Sequence, residues 1–217
     1  MSTSGTPGGR LRVDRVVTAG TFSLDGGTWA VENNVWVVGD DAECLVIDAA
    51  HDAAPVLDAV GSRRAVAIVL THGHDDHIGA AVTLSQRLSA PTWLHPDDRM
   101  LWDRVHRDDP PDQALADGQV LEVAGTSLQV LRTPGHSPGS CCLYAPDLGQ
   151  VFTGDTLFSG GPGATGRSFS DFTTIVASIP DRLLTLPAET VVHTGHGDDT
   201  TIGAEAPHRQ DWLDRGH

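Results

Sequence analysis

The chain has 217 residues, enough for one domain with a real core, and 39% of them are apolar, as in an ordinary globular protein. Its formal charge of −15 repels polyanions, which argues against nucleic acid or an acidic membrane surface as a partner. All fourteen basic residues are arginine, so lysine is excluded from any catalytic or anchoring role.

The opening stretch "MSTSGTPGGR" lacks a basic-then-apolar pattern and reads as a flexible lead over residues 1–10. With no run of about 18 apolar residues, no membrane span is expected, and the cytoplasm is the expected location. Residues 11–217 carry no dividing linker and read as one domain. Short β runs come first, at 11–17, 34–38 and 44–47. "DAAPVLDAVG" predicts a short helix capped by Asp52 and ended by Gly61. "AVAIVL" at 65–70 is a continuous apolar run, the pattern of a strand buried on both faces. Helical periodicity follows at 78–88, a strand at 91–95, and a helix at 96–105 with Pro96 at its start.

The second half predicts strands at 119–123, 126–132, 140–145 and 150–153, separated by Gly and Pro turns. A glycine-rich loop, "FSGGPGATGRS", leads into a helix from about 171 to 186, where Pro180 predicts a kink or break. "TVVHT" reads as a last strand and 203–214 as a last helix. Strands and helices alternate, yet several strands are joined by hairpins. The predicted class is therefore α/β (α+β), two mixed sheets with helices outside. Cys44, Cys141 and Cys142 are odd in number and two are adjacent, so no disulfide framework is expected. On a strand, Cys141 and Cys142 point to opposite faces.

"THGHDDHIG" places His72, His74, Asp75, Asp76 and His77 directly after the apolar run, where sites are built in α/β proteins. Two residues apart on extended backbone, His72 and His74 face one side, and Gly73 permits a tight path between them. Three imidazoles and two carboxylates exceed the needs of one tetrahedral ion and suit a start on two. The further donors stand in three similar contexts, each after a β run and a glycine: His136 in "TPGHSPGS", Asp155 in "VFTGDTLF" and His196 in "VVHTGHGDD". Asp75 reads as a helix cap or a supporting group, not a ligand.

Together "THGHDDHIG", "TPGHSPGS", "FTGDTLFSGG" and "TGHGDDTTIG" resemble the metallo-β-lactamase superfamily, closest to its short glyoxalase II-like (hydroxyacylglutathione hydrolase-like) metallohydrolases. That resemblance implies a four-layer αβ/βα sandwich with the metals at one edge between the sheets. It implies two divalent ions, zinc first, with iron or manganese as alternatives. His72, His74 and His136 would bind the first and Asp76, His77 and His196 the second. Asp155 would bridge both, with Asp76 and Asp155 the catalytic carboxylates. Asp48, at the end of "CLVIDAA", matches the family's strand-end aspartate and would orient a ligand histidine. Ala49 and Ala50 follow it where the family usually has a glycine.

The chemistry so implied is hydrolysis of a small thioester by a hydroxide bridging the two metals. A thiolate leaves without needing a proton, which suits a site with no evident separate acid. Longer glyoxalase II proteins anchor glutathione with a C-terminal helical domain, whereas only 21 residues follow His196 here. The arginine-only, Ala/Gly/Asp-rich composition resembles that of high-GC actinobacteria and points to mycothiol in place of glutathione. Two alternatives use the same scaffold: a mononuclear-iron persulfide dioxygenase on His72, His136 and Asp155, and a lactonase on the two-metal site. The loop "SGGPGATGRSFSD" supplies the candidate substrate contacts, Gly160, Gly161 and Arg167. Its glycines admit close approach, and its arginine suits a carboxylate or carbonyl. His193 and the five tryptophans read as packing residues. The expected partner is a small-molecule thioester, with no nucleic acid or membrane; the oligomeric state is open, a homodimer included.

Overall fold

The computed structural model describes residues 9–216, so most of the expected lead lies outside the described residues. A long hairpin comes first, β1 (Arg12–Leu24) and β2 (Gly27–Gly39), paired without interruption from Arg12↔Gly39 to Leu24↔Gly27. Asp25 and Gly26, both at positive φ (53° and 79°), close it with the left-handed two-residue turn that matches strand twist. Both strands run well past the stretches expected at 11–17 and 34–38. Their outer halves are exposed or half-buried at most positions, so backbone pairing holds them and no continuous apolar run marks them.

From there β3 (Glu43–Ile47), α1 (Ala53–Val60), β4 (Arg64–Val69), α2 (Asp75–Ile78), α3 (Ala81–Leu88), β5 (Thr92–Leu94), α4 (Arg99–Val105) and β6 (Gln113–Ala114) complete the first half. Asp52 caps α1 by accepting from Ala54 N, and Gly61 ends it at φ 61°, as the sequence predicts. The helix expected at 78–88 is two, because the chain turns at Gly79 and Ala80. Strands β1 to β6 form one sheet in sequence order, antiparallel up to β3 and parallel from β3 onward.

The second half supplies β7 (Val120–Val123), β8 (Thr126–Arg132), β9 (Cys141–Ala145), β10 (Gln150–Gly154), the small hairpin β11 (Leu157–Phe158) and β12 (Gly161–Pro162), α5 (Phe172–Arg182), β13 (Val191–Thr194), β14 (Thr200–Thr201), α6 (Ile202–Glu205) and α7 (Arg209–Arg215). Its sheet runs β14-β13-β10-β9-β8-β7 and is parallel only between β10 and β13. Asp171 caps α5, which contains Pro180 and stops at Arg182, short of the expected 186. The last helix, expected whole, is split around 206–208, where Pro207 has no N–H to continue the ladder.

Period-two alternation sorts the strands into three cores. Val35, Val37, Cys44, Val46 and Ile68 face outward and pack with residues of α1 and α3. Trp36, Val38, Leu45, Ile47 and Val69 face inward against Leu128, Val130, Leu143 and Phe152 of the other sheet. Leu131, Val151 and Val192 face the far side and meet Ile175, Ile179 and Trp212. Four layers result: helix, sheet, sheet, helix. Cys141 lies in the inner core and Cys142 in the far one, on opposite faces as predicted, and all three thiols are free and buried.

At one edge the sheets are stitched together. Cys141 N donates to Thr71 O at 2.8 Å, and Asn34 N to Gly195 O at 2.8 Å. Parallel pairing of β3 with β4 ends both strands level, bringing Asp48 beside Thr71. Parallel pairing of β10 with β13 does the same for the turns carrying Asp155 and His196.

Candidate metal centre

All seven expected donors converge at that edge. His72 Nε2 and His136 Nε2 each stand 3.0 Å from His74 Nδ1, forming one cluster. His77 Nε2 and His196 Nε2 are 3.2 Å apart, with Asp76 Oδ2 at 3.6 and 3.3 Å from them, forming a second. Asp155 stands between the two. Its Oδ1 is 3.2 Å from His77 Nε2, and its Oδ2 is 3.5 Å from His136 and 3.4 Å from His196. A side chain on Gly195 would fill this space, since its Cβ would stand 2.2 Å from Asp155 Oδ1. Gly73 is equally confined, a Cβ there meeting Leu101 at 2.9 Å.

The outward nitrogens are held. His136 Nδ1 pairs with Ala164 O at 2.9 Å and His196 Nδ1 with Glu32 O at 2.7 Å. His77 Nδ1 pairs with Asp48 at 2.9 Å, and His72 Nδ1 with Thr71 Oγ1, whose own hydroxyl donates to Asp48. Carbonyl and carboxylate acceptors fix the proton on the outer nitrogen and aim the inner one at the cluster. Asp48 thus steadies two imidazoles through a backbone at φ 64°. The Ala49–Ala50 departure is accommodated by docking on the donor loop, with Ala49 N bonded to His77 O and Ala49 O to Ala80 N.

These residues fit a pair of cations. Donor separations of 3.0–3.6 Å match the edge of a tetrahedron, about 3.3 Å, drawn around an ion with bonds of about 2.0 Å. Asp76 Oδ1 and Asp155 Oδ1 are buried without hydrogen-bond partners among the described residues, while the outward Nε2 of His74, unlike the outer nitrogens of the other four imidazoles, has no such partner either. Charge points the same way. Burial alone would lower the pKa of His196, but Asp155 and Asp76 outweigh it and raise the value to about 10. Burial likewise opposes Asp155, Asp76 and Asp48 at His77, and the carboxylates prevail there too. In the first cluster burial dominates, with His136 adding to it, and His74 falls to about 3. One cluster therefore demands positive charge, and in the other burial favours neutral imidazoles at His72 and His74. The arrangement is compatible with a dinuclear metal site.

Residues 28–196 match the family described as "Metallo-beta-lactamase superfamily". The chain belongs to the metallo-β-lactamase superfamily. Hydroxyacylglutathione hydrolase GloC of Haemophilus influenzae is 32% identical over 197 residues, covering 81% of this chain and 91% of the relative. The crystal structure of BLEG-1 B3 metallo-beta-lactamase has a TM-score of 0.76 at 31% identity, covering 90% of this chain and 99% of that one. TTHA1623, crystallised in a di-iron-bound form, has a TM-score of 0.70 at 36% identity, covering 81% of this chain and 93% of that one. The four-layer sandwich agrees with these metallo-β-lactamase folds.

In this metallo-β-lactamase superfamily member His74, Asp76, His136, Asp155 and His196 floor a cavity of about 310 Å³. Phe22, Trp29, Val31 and Phe158 form its apolar walls, and Arg167 lies on its rim side with its guanidinium carbon 3.7 Å from the Trp29 ring centre. Trp29, expected to be a packing residue, is 39% exposed and faces this cavity. Gly160 and Gly161, expected as substrate contacts, do not line it. Gly160 N donates to Glu205 and its carbonyl accepts from Arg215, while Gly161 abuts Trp212. These two glycines seat α6 and α7 instead. Asp75 is the first residue of α2 and accepts Ser23 N on both oxygens at 3.1 Å, tying the hairpin to the donor loop. His193 packs on Trp36 and Phe152 and bonds Asp199, a packing role as expected.

Three supporting residues escaped sequence reasoning. Asn33, fully buried on β2, donates to Asp76 Oδ2 at 3.0 Å and lies 3.3 Å from His196 Nε2. His51, at φ 49°, holds the Asn33 carbonyl at 2.7 Å. Asp98, also fully buried, accepts from Gly73 N at 2.8 Å, Ser137 Oγ at 2.6 Å and Gly139 N at 2.6 Å, clamping the His74 loop to the His136 loop. The one available signal was the Asn33-Asn34 pair inside a strand, where asparagine is depleted.

Proposed function

We propose that this superfamily member is a metal-dependent thioester hydrolase. The observation that carries the reading is the convergence of seven donors in two clusters, with Asp155 between them, five of the seven lining a largely apolar cavity. Bound there, a metal pair would lower the pKa of a water toward neutrality and polarise a carbonyl oxygen. The chain's own part is to orient the imidazoles through Asp48, Thr71, Glu32 and Ala164, and to seat the acyl group against Phe22 and Phe158. Apart from the donors, the cavity is lined by arginine, serines and apolar side chains, none of which is an ordinary general acid. A leaving group must therefore depart unprotonated, which favours a thiol, whose pKa is about 8.5, over an alcohol or amine. The hydroxyacylglutathione hydrolase name of the Haemophilus influenzae relative supports the same class. Mycothiol as the carrier rests on composition alone.

Metal content per chain, measured on protein purified without added metal, comes first, followed by hydrolysis of a panel of thioesters, a lactone and a β-lactam. About two ions per chain and turnover confined to thioesters is the expected result. One iron per chain with O₂ consumption on thiol persulfides would replace this reading with the dioxygenase, and turnover confined to the β-lactam or the lactone would replace it with that hydrolase.

A further inference from the structure

Arg167 is the one arginine lining the cavity, and its guanidinium has no ion pair or hydrogen bond among the described residues. Its place is fixed without spending any of its five N–H donors. The guanidinium rests 3.7 Å from the Trp29 ring centre and 5.6 Å from that of Phe22. Ser168 N donates to Asp25 at the tip of the β1–β2 hairpin at 2.9 Å. Ser170 Oγ bonds both Arg167 N at 3.1 Å and Arg167 O at 2.7 Å. Hairpin and loop are thus clasped, and the arginine is stacked between them with its donors unspent. A stacked guanidinium is a preorganised planar fork that matches a carboxylate in two parallel bonds. Asp76 and Asp155 line the same cavity, where the implied ions would offset their charge, and Arg167 is the cation that the cavity offers away from that centre.

We propose that Arg167 is a specificity-determining residue that receives a carboxylate of the substrate, so that the thioesters cleaved here are carboxylate-bearing ones. The inference rests on the thioester reading, and it is tested with matched substrates that differ in one carboxylate. Acetyl thioesters of N-acetylcysteine and N-acetylcysteamine place or remove the charge on the thiol half. Succinyl and butyryl thioesters of N-acetylcysteamine do so on the acyl half. With the metal-loaded 217-residue protein, one pair is expected to show a preference of about ten- to hundredfold in kcat/KM for its acidic member. Arg167→Gln is expected to reduce that preference below about threefold while leaving the neutral member within about threefold. Equal turnover of acid and neutral members in both pairs overturns the proposal. So does a loss in Arg167→Gln that falls equally on both members, which is the signature of packing on Trp29 alone.

If none of the four is hydrolysed, the thioester reading fails and the carboxylate site is judged by binding. S-ethyl-N-acetylcysteine binding tighter than S-ethyl-N-acetylcysteamine by calorimetry, with the difference lost in Arg167→Gln, supports it. Equal or undetectable binding of the two overturns it.

Discussion

Asn33 donates its side-chain amide to Asp76 Oδ2 at 3.0 Å, and Asp76 Oδ1 is left buried with no hydrogen-bond partner among the described residues. One oxygen is therefore positioned by the protein and the other stands free. Because His51 holds the Asn33 carbonyl, the amide cannot turn over without losing two bonds.

Asn33→Ala is expected to weaken metal binding at the second cluster by about ten- to hundredfold, with the fold intact. His51→Ala should weaken it in the same direction by less. Competition against a chromophoric chelator measures both. Unchanged affinity in Asn33→Ala would remove Asn33 from the machinery of the site.

Asp98→Ala strands three buried donors at once, Gly73 N, Ser137 Oγ and Gly139 N. The expected cost is about 3–5 kcal/mol of folding stability, and roughly 2 kcal/mol for Asp98→Asn, which keeps one acceptor. Urea unfolding of the chelated protein gives the number. A cost below about 1 kcal/mol would show that the two donor loops hold their places without the clamp.

The chelated protein should be most stable near pH 6.5. His74 has a folded pKa of about 3, below its ordinary 6.5, so the unfolded chain binds more protons between those values and stability falls as pH drops through them. His72 is displaced in the same direction by burial. His196 has the opposite sign. Its folded pKa of about 10 gives a contribution fully present below 6.5 and lost as pH rises toward 10. Asp76, held at about 2 by His77 and His196 against its burial, adds stability above 3.8 that is lost as pH falls toward 2. Urea midpoints from pH 4 to 10 should trace a dome, and a midpoint that climbs steadily from pH 6.5 to 9 would contradict these assignments.

Metal loading should remove most of the alkaline limb, because an ion replaces the protons on His77 and His196. At about a thousandfold excess over Kd it is expected to raise Tm by about 10 °C for a chain of this size. Calorimetry with and without a chelator decides this. Superimposable traces would mean the donor cluster binds no ion.

The donors were legible because their spacing is short-range or strand-terminal. His72, His74 and His77 share one loop, and His136, Asp155 and His196 each follow a β run. The inner strands were legible because both their faces are apolar. What the sequence hid depends on pairing register. Trp29 reaches the cavity only because β1 and β2 pair along 13 residues each. Asn33 meets Asp76 only because that same hairpin crosses the donor loop. Asp98 stands in "HPDD" at the start of a predicted helix, where nothing marked it out, yet it is fully buried beneath two loops from distant parts of the chain. Gly160 and Gly161 misled in the other direction, since a glycine that admits a ligand and one that admits a neighbouring helix look alike in one dimension.

His77 and His196 face each other at 3.2 Å across 119 residues of chain. During synthesis, the first sheet emerges carrying four donors and has no partners for them until the β8–β9 turn, then β10, then the stretch after β13 arrive in succession. An ion captured early would be held by an incomplete set and exchange readily. Metal capture would thus be timed by synthesis: the complete donor set exists only once the chain has been made through His196 and its two halves have closed on each other.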